Sequence, residues 1–385
     1  MPLELAAAAT LALWLYLIFF RGAFWREFLN GATPPEDPLK PPPRIVAVIP
    51  ARNEAATIGR TVASLAAQHY PGHFHIIVVD DDSTDGTAAA VRAAATPDVL
   101  TVVHAAPLPA GWTGKLWAIS EGIRRSARFH PDYLLLADAD IVHPAGTLED
   151  LAVRAAAGPY DLVSFMATLR CHSPAERALA PAFVFFFFLL YPPAWIRNPR
   201  RSTAGAAGGC MLVRRAALDK IGGIEPIRGS LIDDCALARA IKRSGGRIWL
   251  GLNPATISIR SYLTFGAIGR MISRTAFTQL RHSALLLLVT ILGLTVTYLL
   301  PPAVAIIAPQ PAAGMAATAW LLMSISYFPA LRYYNRGWFA APLLPLVALF
   351  YLGATIHSAI CYWLGSGGSW KGRIQDKPIR QSRDR

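Results

Sequence analysis

His75-Ile76-Ile77-Val78-Val79-Asp80-Asp81-Asp82-Ser83-Thr84-Asp85-Gly86 is an apolar, β-branched run that ends abruptly in acid. Such residues favour a pleated strand. The lack of apolar/polar alternation says that both faces are covered, as in a parallel sheet between helices. The same event recurs at Tyr133-Leu134-Leu135-Leu136-Ala137-Asp138-Ala139-Asp140. Outward from these two runs, residues 45–49 (IVAVI) and 99–103 (VLTVV) read as further strands. Residues 54–68, 85–95 and 115–128 read as helices, the first with Ile58, Val62 and Leu65 on one face. The pattern predicts an α/β domain with a mostly parallel sheet, whose ligands sit beyond the carboxyl ends of the strands.

Those strand ends carry carboxylates. Adjacent acids repel unless cations or hydrogen-bond donors compensate. A solvated turn with helix capping by Ser83, Thr84 or Asp85 accounts for part of the first cluster. It does not account for Asp138 and Asp140, which directly continue an apolar strand. Alternate carboxylates there suit a hard cation, Mg²⁺ or Mn²⁺, that also holds phosphate oxygens. His143, three residues on, is either a further ligand or a loop histidine. No GxGxxG follows the first strand, and Gly114-Lys115 lacks the spaced upstream glycine of a P-loop.

The chain has 385 residues, 37 Lys+Arg against 24 Asp+Glu, and a formal net charge of +13. Apolar types make up 54% and charged types 16%, against about 45–50% and about 25% in soluble domains. An ordinary cytosolic globule and a disordered chain are both excluded. Four cysteines without CxxC spacing indicate neither a disulfide framework nor a zinc site. Residues 1–28 read as an uncleaved membrane anchor, with Arg21 and Arg26 after the apolar run placing the adjoining soluble part in the cytosol. Residues 29–43, with six prolines, form a stiff linker, and 44–282 the soluble α/β domain. Residues 283–364 form a C-terminal membrane block of two or three helices, with breaks expected at Pro301-Pro302 and Pro342/Pro345, and 365–385 a basic tail. Within the domain, the run 181–196 (PAFVFFFFLLYPPAWI) is either a buried core helix or a helix in the membrane interface.

Ile49-Pro50-Ala51-Arg52-Asn53-Glu54, Val78–Thr87 and Asp138-Ala139-Asp140 resemble, in order and spacing, the family-2 glycosyltransferases of GT-A fold. The resemblance extends through Gly208-Gly209-Cys210-Met211-Leu212-Val213-Arg214-Arg215 to Ile232-Asp233-Asp234-Cys235-Ala236-Leu237. Gly111-Trp112-Thr113-Gly114-Lys115-Leu116, the single N-terminal anchor and the apolar C-terminal block look like the bacterial hopene-associated members, relatives of the ceramide and carotenoid glycosyltransferases. The resemblance implies a GT-A nucleotide-sugar-binding domain flanked by transmembrane helices in a bacterial inner membrane. Asp81 would bind the base or ribose, with Pro50, Arg52 and Glu54 lining the pocket. Asp138 and Asp140 would hold a divalent Mg or Mn ion on the diphosphate, and Asp234 would be the general base of an inverting transfer. Lys115 either neutralises the diphosphate or is an exposed helix-start lysine. Arg274, in a Met271–Thr275 segment that lacks the family's Gln and Trp, faces either the diphosphate or anionic lipid.

The expected partners are a nucleotide-sugar donor, a lipid acceptor of hopanoid type and the membrane, and no nucleic acid. A processive polysaccharide synthase would call for a longer helix set and an intact QxxRW. A transporter would carry ionisable residues inside its spans, where this sequence has only Glu4 and His357.

Overall fold

A computed structural model of the chain describes residues 2–30, 41–370 and 373–376. Most of the 29–43 linker and of the 365–385 tail lies outside the described residues. The chain forms two compact units, one from residues 30–170 and 191–261, the other from 1–29, 171–190 and 262–385.

The first unit carries one eight-stranded sheet. Its strands are β1 (Ile45–Ala51), β2 (Phe74–Asp80), β3 (Leu100–His104), β4 (Tyr133–Ala137), β5 (Ile141–Val142), β6 (Leu162–Thr168), β7 (Cys210–Arg214) and β8 (Ile248–Ser258). The order is β3-β2-β1-β4-β7-β6-β8-β5. Strands β3, β2, β1 and β4 run parallel, as their unbroken apolar character requires. Strand β7 lies antiparallel between β4 and β6, and β8 returns parallel to β6. The sheet is therefore mixed, with its parallel half holding the two acid-tipped strands.

Every residue of β1 is buried. The helix Ile58–Ala66 covers one face through Ile58, Val62 and Leu65, all at most 1% exposed. The helix Gly114–Ser126 covers β1 and β2. It approaches so closely that a Cβ on Gly122 would lie 2.4 Å from Val48 Cγ1 and 3.1 Å from Val79 Cγ2. That contact sets the height at which the N-terminal end of this helix, and so Lys115, stands against the sheet.

The second unit is helical. Among the described residues, five helices are long and apolar enough to cross a membrane: 2–20, 174–197, 284–307, 312–333 and 338–363. Leu285, Leu288, Val289, Leu292, Ile306 and Ile307 are exposed, a pattern compatible with membrane-spanning helices. Pro301-Pro302 do not break their helix. A π-turn over Thr295–Leu299 absorbs the missing amide donors before Leu300–Ile307 resumes. Pro342 lies in a 3₁₀ turn, Trp338–Leu343, that leads into Leu344–Trp363.

The phenylalanine run lies on Pro174–Leu190 and belongs to this helical unit, whereas the sequence pattern sets it inside the 44–282 domain. Phe185 and Phe188 are fully buried. Phe185 meets the rings of Phe24 and Tyr327 at 5.2 Å each, and Phe186 those of Tyr351 at 4.9 Å and Tyr298 at 5.5 Å. Glu176, 1% exposed, accepts the amides of His172 and Ser173 at 2.9 Å each and of Tyr262 at 2.7 Å. A buried charge is tolerable on such terms because donors replace its hydration.

Candidate active site

At the carboxyl end of β1 the chain turns sharply through Arg52-Asn53-Glu54, with Asn53 at φ 51°. Asp82, after β2, stands at φ 57°. Asn and Asp tolerate the left-handed region better than other side chains, and here each sits where two strand-end loops interlock. Asn53 N–H donates to Ser83 Oγ (2.9 Å), Asn53 Oδ1 accepts from Thr84 N–H (2.9 Å), and Glu54 N–H donates to Thr87 Oγ1 (2.8 Å). Asp85 accepts from Ala55 N–H and Thr87 N–H, at 3.0 Å each, so the last acid of the cluster is a structural turn residue.

Asp81 is 3% exposed, and its amide donates to Ala51 O at 2.8 Å. Arg52 Nη1 stands 3.8 Å from the Asp81 carboxylate and 3.9 Å from that of the exposed Asp82, and donates to Asp81 O. Pro50 is buried within β1, opposite Val79. The Pro50–Glu54 turn and Asp81 are thus one hydrogen-bonded assembly.

Asp138 and Asp140 lie between β4 and β5, and two cations meet them. Lys115 Nζ is 2.8 Å from Asp138 Oδ1 and 3.0 Å from Asp233 Oδ2. Desolvation pulls the Lys115 pKa down, but Asp138 and Asp233 outweigh it and hold the ammonium above the ordinary lysine range. Lys115 is therefore a cation paired by two carboxylates, and not an exposed helix-start lysine. Arg260, just past β8, places Nε 2.9 Å from Asp140 Oδ2 and Nη2 2.6 Å from Glu54 Oε1. Ser258 Oγ donates to the same Asp140 oxygen at 3.2 Å. Burial holds the Asp140 carboxyl above its usual range against the pull of Arg260.

Asp234 opens the helix Asp233–Arg243. Its Oδ2 accepts Gly208 N–H at 2.9 Å and its Oδ1 accepts Cys235 N–H at 2.6 Å. Desolvation and the neighbouring Asp233 carboxylate push its pKa up to about 6, while Lys115 and the two amides oppose them. A Cβ on Gly208 would lie 3.3 Å from Asp234 Oδ2 and 3.4 Å from Lys115 Nζ. The glycine is what lets the backbone donor, the base candidate and the ammonium share one spot. A carboxylate with a pKa near neutrality beside a lysine can take a proton from an alcohol.

Two carboxylates of hard oxygen at one strand end suit Mg²⁺ or Mn²⁺, and both already draw positive charge. No group of three or more His, Cys, Asp and Glu side chains among the described residues can hold an ion by itself. Asp138 and Asp140, paired here with Lys115 and Arg260, would hold an ion only together with ligands from a diphosphate and water, as hard cations at phosphate sites commonly have. His143 does not join such a cluster: its ring is 2% exposed, burial lowers its pKa to about 4, and neither ring nitrogen has a hydrogen-bond partner. Arg274 is exposed at the end of the helix Phe265–Ser273, in the helical unit.

Lys115, Asp138, Asp233, Asp234 and Gly208 are brought together, as are Glu54, Asp140 and Arg260. Sequence reasoning misses Arg260, which pairs across 206 and 120 positions with Glu54 and Asp140. No local pattern marks it. Asp233 enters the sequence reading only as the neighbour of Asp234; its place opposite Lys115 emerges from the packing of two helices against one strand end.

The family model described as "Glycosyltransferase like family 2" matches residues 42–271, well over half of the chain. A curated relative, the beta-monoglucosyldiacylglycerol synthase of Synechocystis sp., is 26% identical over 283 residues, 65% of this chain and 55% of its own. The chain thus spans about half the length of that relative. A mannosyltransferase from Pyrobaculum calidifontis, solved in complex with GDP-Man and Mn²⁺, superposes with a TM-score of 0.58 at 21% identity, over 92% of this chain and 98% of its own. The likeness shows the fold: a mixed α/β sheet of GT-A type, as the motifs lead one to expect.

Proposed function

We propose that this chain, which belongs to glycosyltransferase-like family 2, moves a sugar from a nucleoside-diphosphate donor to a lipid hydroxyl, with inversion at the anomeric carbon. The observation that carries this reading is the Lys115 ammonium held between Asp138 and Asp233 with Asp234 beside it. Donor-phosphate chemistry and proton removal then meet at one point. The turn Pro50–Glu54, with Arg52 and Asp81, takes the nucleoside. Asp138 and Asp140 hold a divalent ion, which supplies charge neutralisation for the departing diphosphate. Lys115 adds a second positive charge on the same side. Asp234 accepts the acceptor hydroxyl's proton, and a lone carboxylate base implies a single displacement. Arg274 meets anionic phosphate oxygens, of the donor or of a lipid headgroup.

The five apolar helices support residence in a membrane. Arg21, Arg26, Arg270, Arg274, Arg281, Arg332 and Arg336 at or between helix ends favour a catalytic domain on the cytosolic face of a bacterial inner membrane. For the acceptor we take a hopanoid-type polycyclic alcohol. A glycerolipid hydroxyl is the second reading, favoured by the relative whose name specifies diacylglycerol.

The test is to incubate membranes containing the protein with labelled nucleotide sugars, Mn²⁺ or Mg²⁺, and lipid extract from a strain lacking it. The labelled lipid identifies the acceptor. Asp140→Ala should abolish metal-dependent labelling at normal expression, and retained labelling would refute the metal role.

A further inference from the structure

We infer that Arg260 is an internal counter-cation that closes the ion site while no donor is bound and makes metal and diphosphate binding depend on each other. The inference rests on the metal reading above and adds a control to it.

Glu54 and Asp140 come from different strand ends, and both are buried, at 8% and 7% exposed. Two carboxylates in such a place repel and are poorly hydrated, so a cation shared between them relieves both. Arg260 does so with separate arms of one planar fork, Nε to Asp140 at 2.9 Å and Nη2 to Glu54 at 2.6 Å. A lysine ammonium, a point charge, lacks that geometry. The placement is built into the sheet. Strand β5 follows Asp140 directly and pairs with the end of β8, Ile141 opposite Ser258, while Ile259 N–H donates to Asp140 O at 2.8 Å. Arg260 therefore faces Asp140 by register and not by a flexible reach.

A divalent ion approaching Asp140 meets a fixed positive charge already bonded to that carboxylate. The ion alone must break the Nε–Asp140 bond of a guanidinium that Glu54 still holds through Nη2. With a diphosphate present, the freed arm finds phosphate oxygens, which suit a guanidinium fork as well as a carboxylate does. Each ligand then lowers the cost of binding the other, by the same factor in both directions. The consequence is ordered loading: the site resists free metal and accepts it with donor.

The experiment is a Mn²⁺ titration of purified full-length protein in detergent, followed by electron paramagnetic resonance, with and without GDP or UDP as diphosphate probes. Wild type should bind Mn²⁺ weakly alone and about tenfold or more tighter with one of the nucleotides, within the usual span of such couplings. Arg260→Gln should bind Mn²⁺ alone about tenfold tighter, with the coupling reduced to about threefold or less. Arg260→Lys keeps the charge but not the two-armed fork, so its coupling should also fall, to about threefold or less; it serves as the test variant where thermal unfolding shows that Arg260→Gln does not fold. An Arg260→Gln protein whose Mn²⁺ affinity and coupling match wild type, or an Arg260→Lys protein whose coupling matches wild type, overturns the inference. If wild type then still binds Mn²⁺ with nucleotide and Asp140→Ala does not, the metal reading survives that failure. Absence of Mn²⁺ binding in every protein, nucleotide present, overturns both.

Discussion

Replacing Asp234 by Asn removes the proposed base with almost no change in shape. Asp234 uses both oxygens, one on Gly208 N–H at 2.9 Å and one on Cys235 N–H at 2.6 Å. An amide has a single acceptor oxygen, so one of those donors must face an NH₂ group, at a stability cost of about 1–3 kcal/mol. Lys115 keeps Asp138 and Asp233, so the donor side of the site stays in place. Loss of a general base removes roughly 10²–10⁴ in rate, about 3–5 kcal/mol of barrier. The expected result is nucleotide affinity within a few-fold of wild type and turnover down by at least about 100-fold. Asp234 must be ionised to act, and its pKa is raised to about 6. Wild-type transfer should therefore fall tenfold per unit as pH drops below about 6 and level off above it, and the residual rate of the variant should lack that limb. Labelled-sugar transfer across pH, with calorimetric nucleotide binding alongside, measures both. Turnover within tenfold of wild type refutes the base assignment, and loss of nucleotide binding makes Asp234 a structural anchor.

Gly208→Ala should lower turnover several-fold with little loss of folding, because the new Cβ, 3.3 Å from Asp234 Oδ2, displaces the base by tenths of an ångström; unchanged kinetics would show that spot to be slack. Phe185→Ala opens a cavity against Phe24 and Tyr327 and should cost about 3–5 kcal/mol in thermal unfolding in detergent. Cysteines placed singly at the exposed Arg125 and Arg200, in a background without native cysteines, should both escape an impermeant maleimide in intact cells and both react after lysis, since both lie in the sheet unit; reaction of either in intact cells would refute the cytosolic placement.

The first four strands are legible in the sequence because each is an unbroken apolar run closed by polar punctuation, and the predicted 133–137 matches β4 residue for residue. Strands β5 to β8 are not. Strand β5 is two residues long, and β8 contains Gly251 and Pro254, which read as breakers. Asp138, Asp140, Asp234 and Lys115 are legible as candidates because carboxylates at a strand's end and a carboxylate and a lysine at helix starts are chemically conspicuous. Their cations are less so. Arg260 follows a strand that the pattern does not reveal, and its partners are set by the pairing of β5 with β8. Lys115 stays ambiguous until Gly122 fixes the depth of its helix.

The helix 174–197 shows where length and hydropathy mislead when taken alone. It is 24 residues long and apolar enough to cross. Yet β6 precedes it and β7 comes after it, and the two pair directly, Leu162 with Val213, Val163 with Leu212 and Ser164 with Met211. Strands that share hydrogen bonds fold in one compartment, so the segment between them must leave and return on the same side of any membrane. Its tethers agree. Arg21, just past the first helix, donates to the carbonyls of Leu189 at 3.0 Å and Leu190 at 3.4 Å, and Glu176 near the other end accepts Tyr262 N–H. The helix is apolar because Phe24, Tyr298, Tyr327 and Tyr351 surround its rings, a demand of packing that a hydropathy window cannot tell from a demand of lipid.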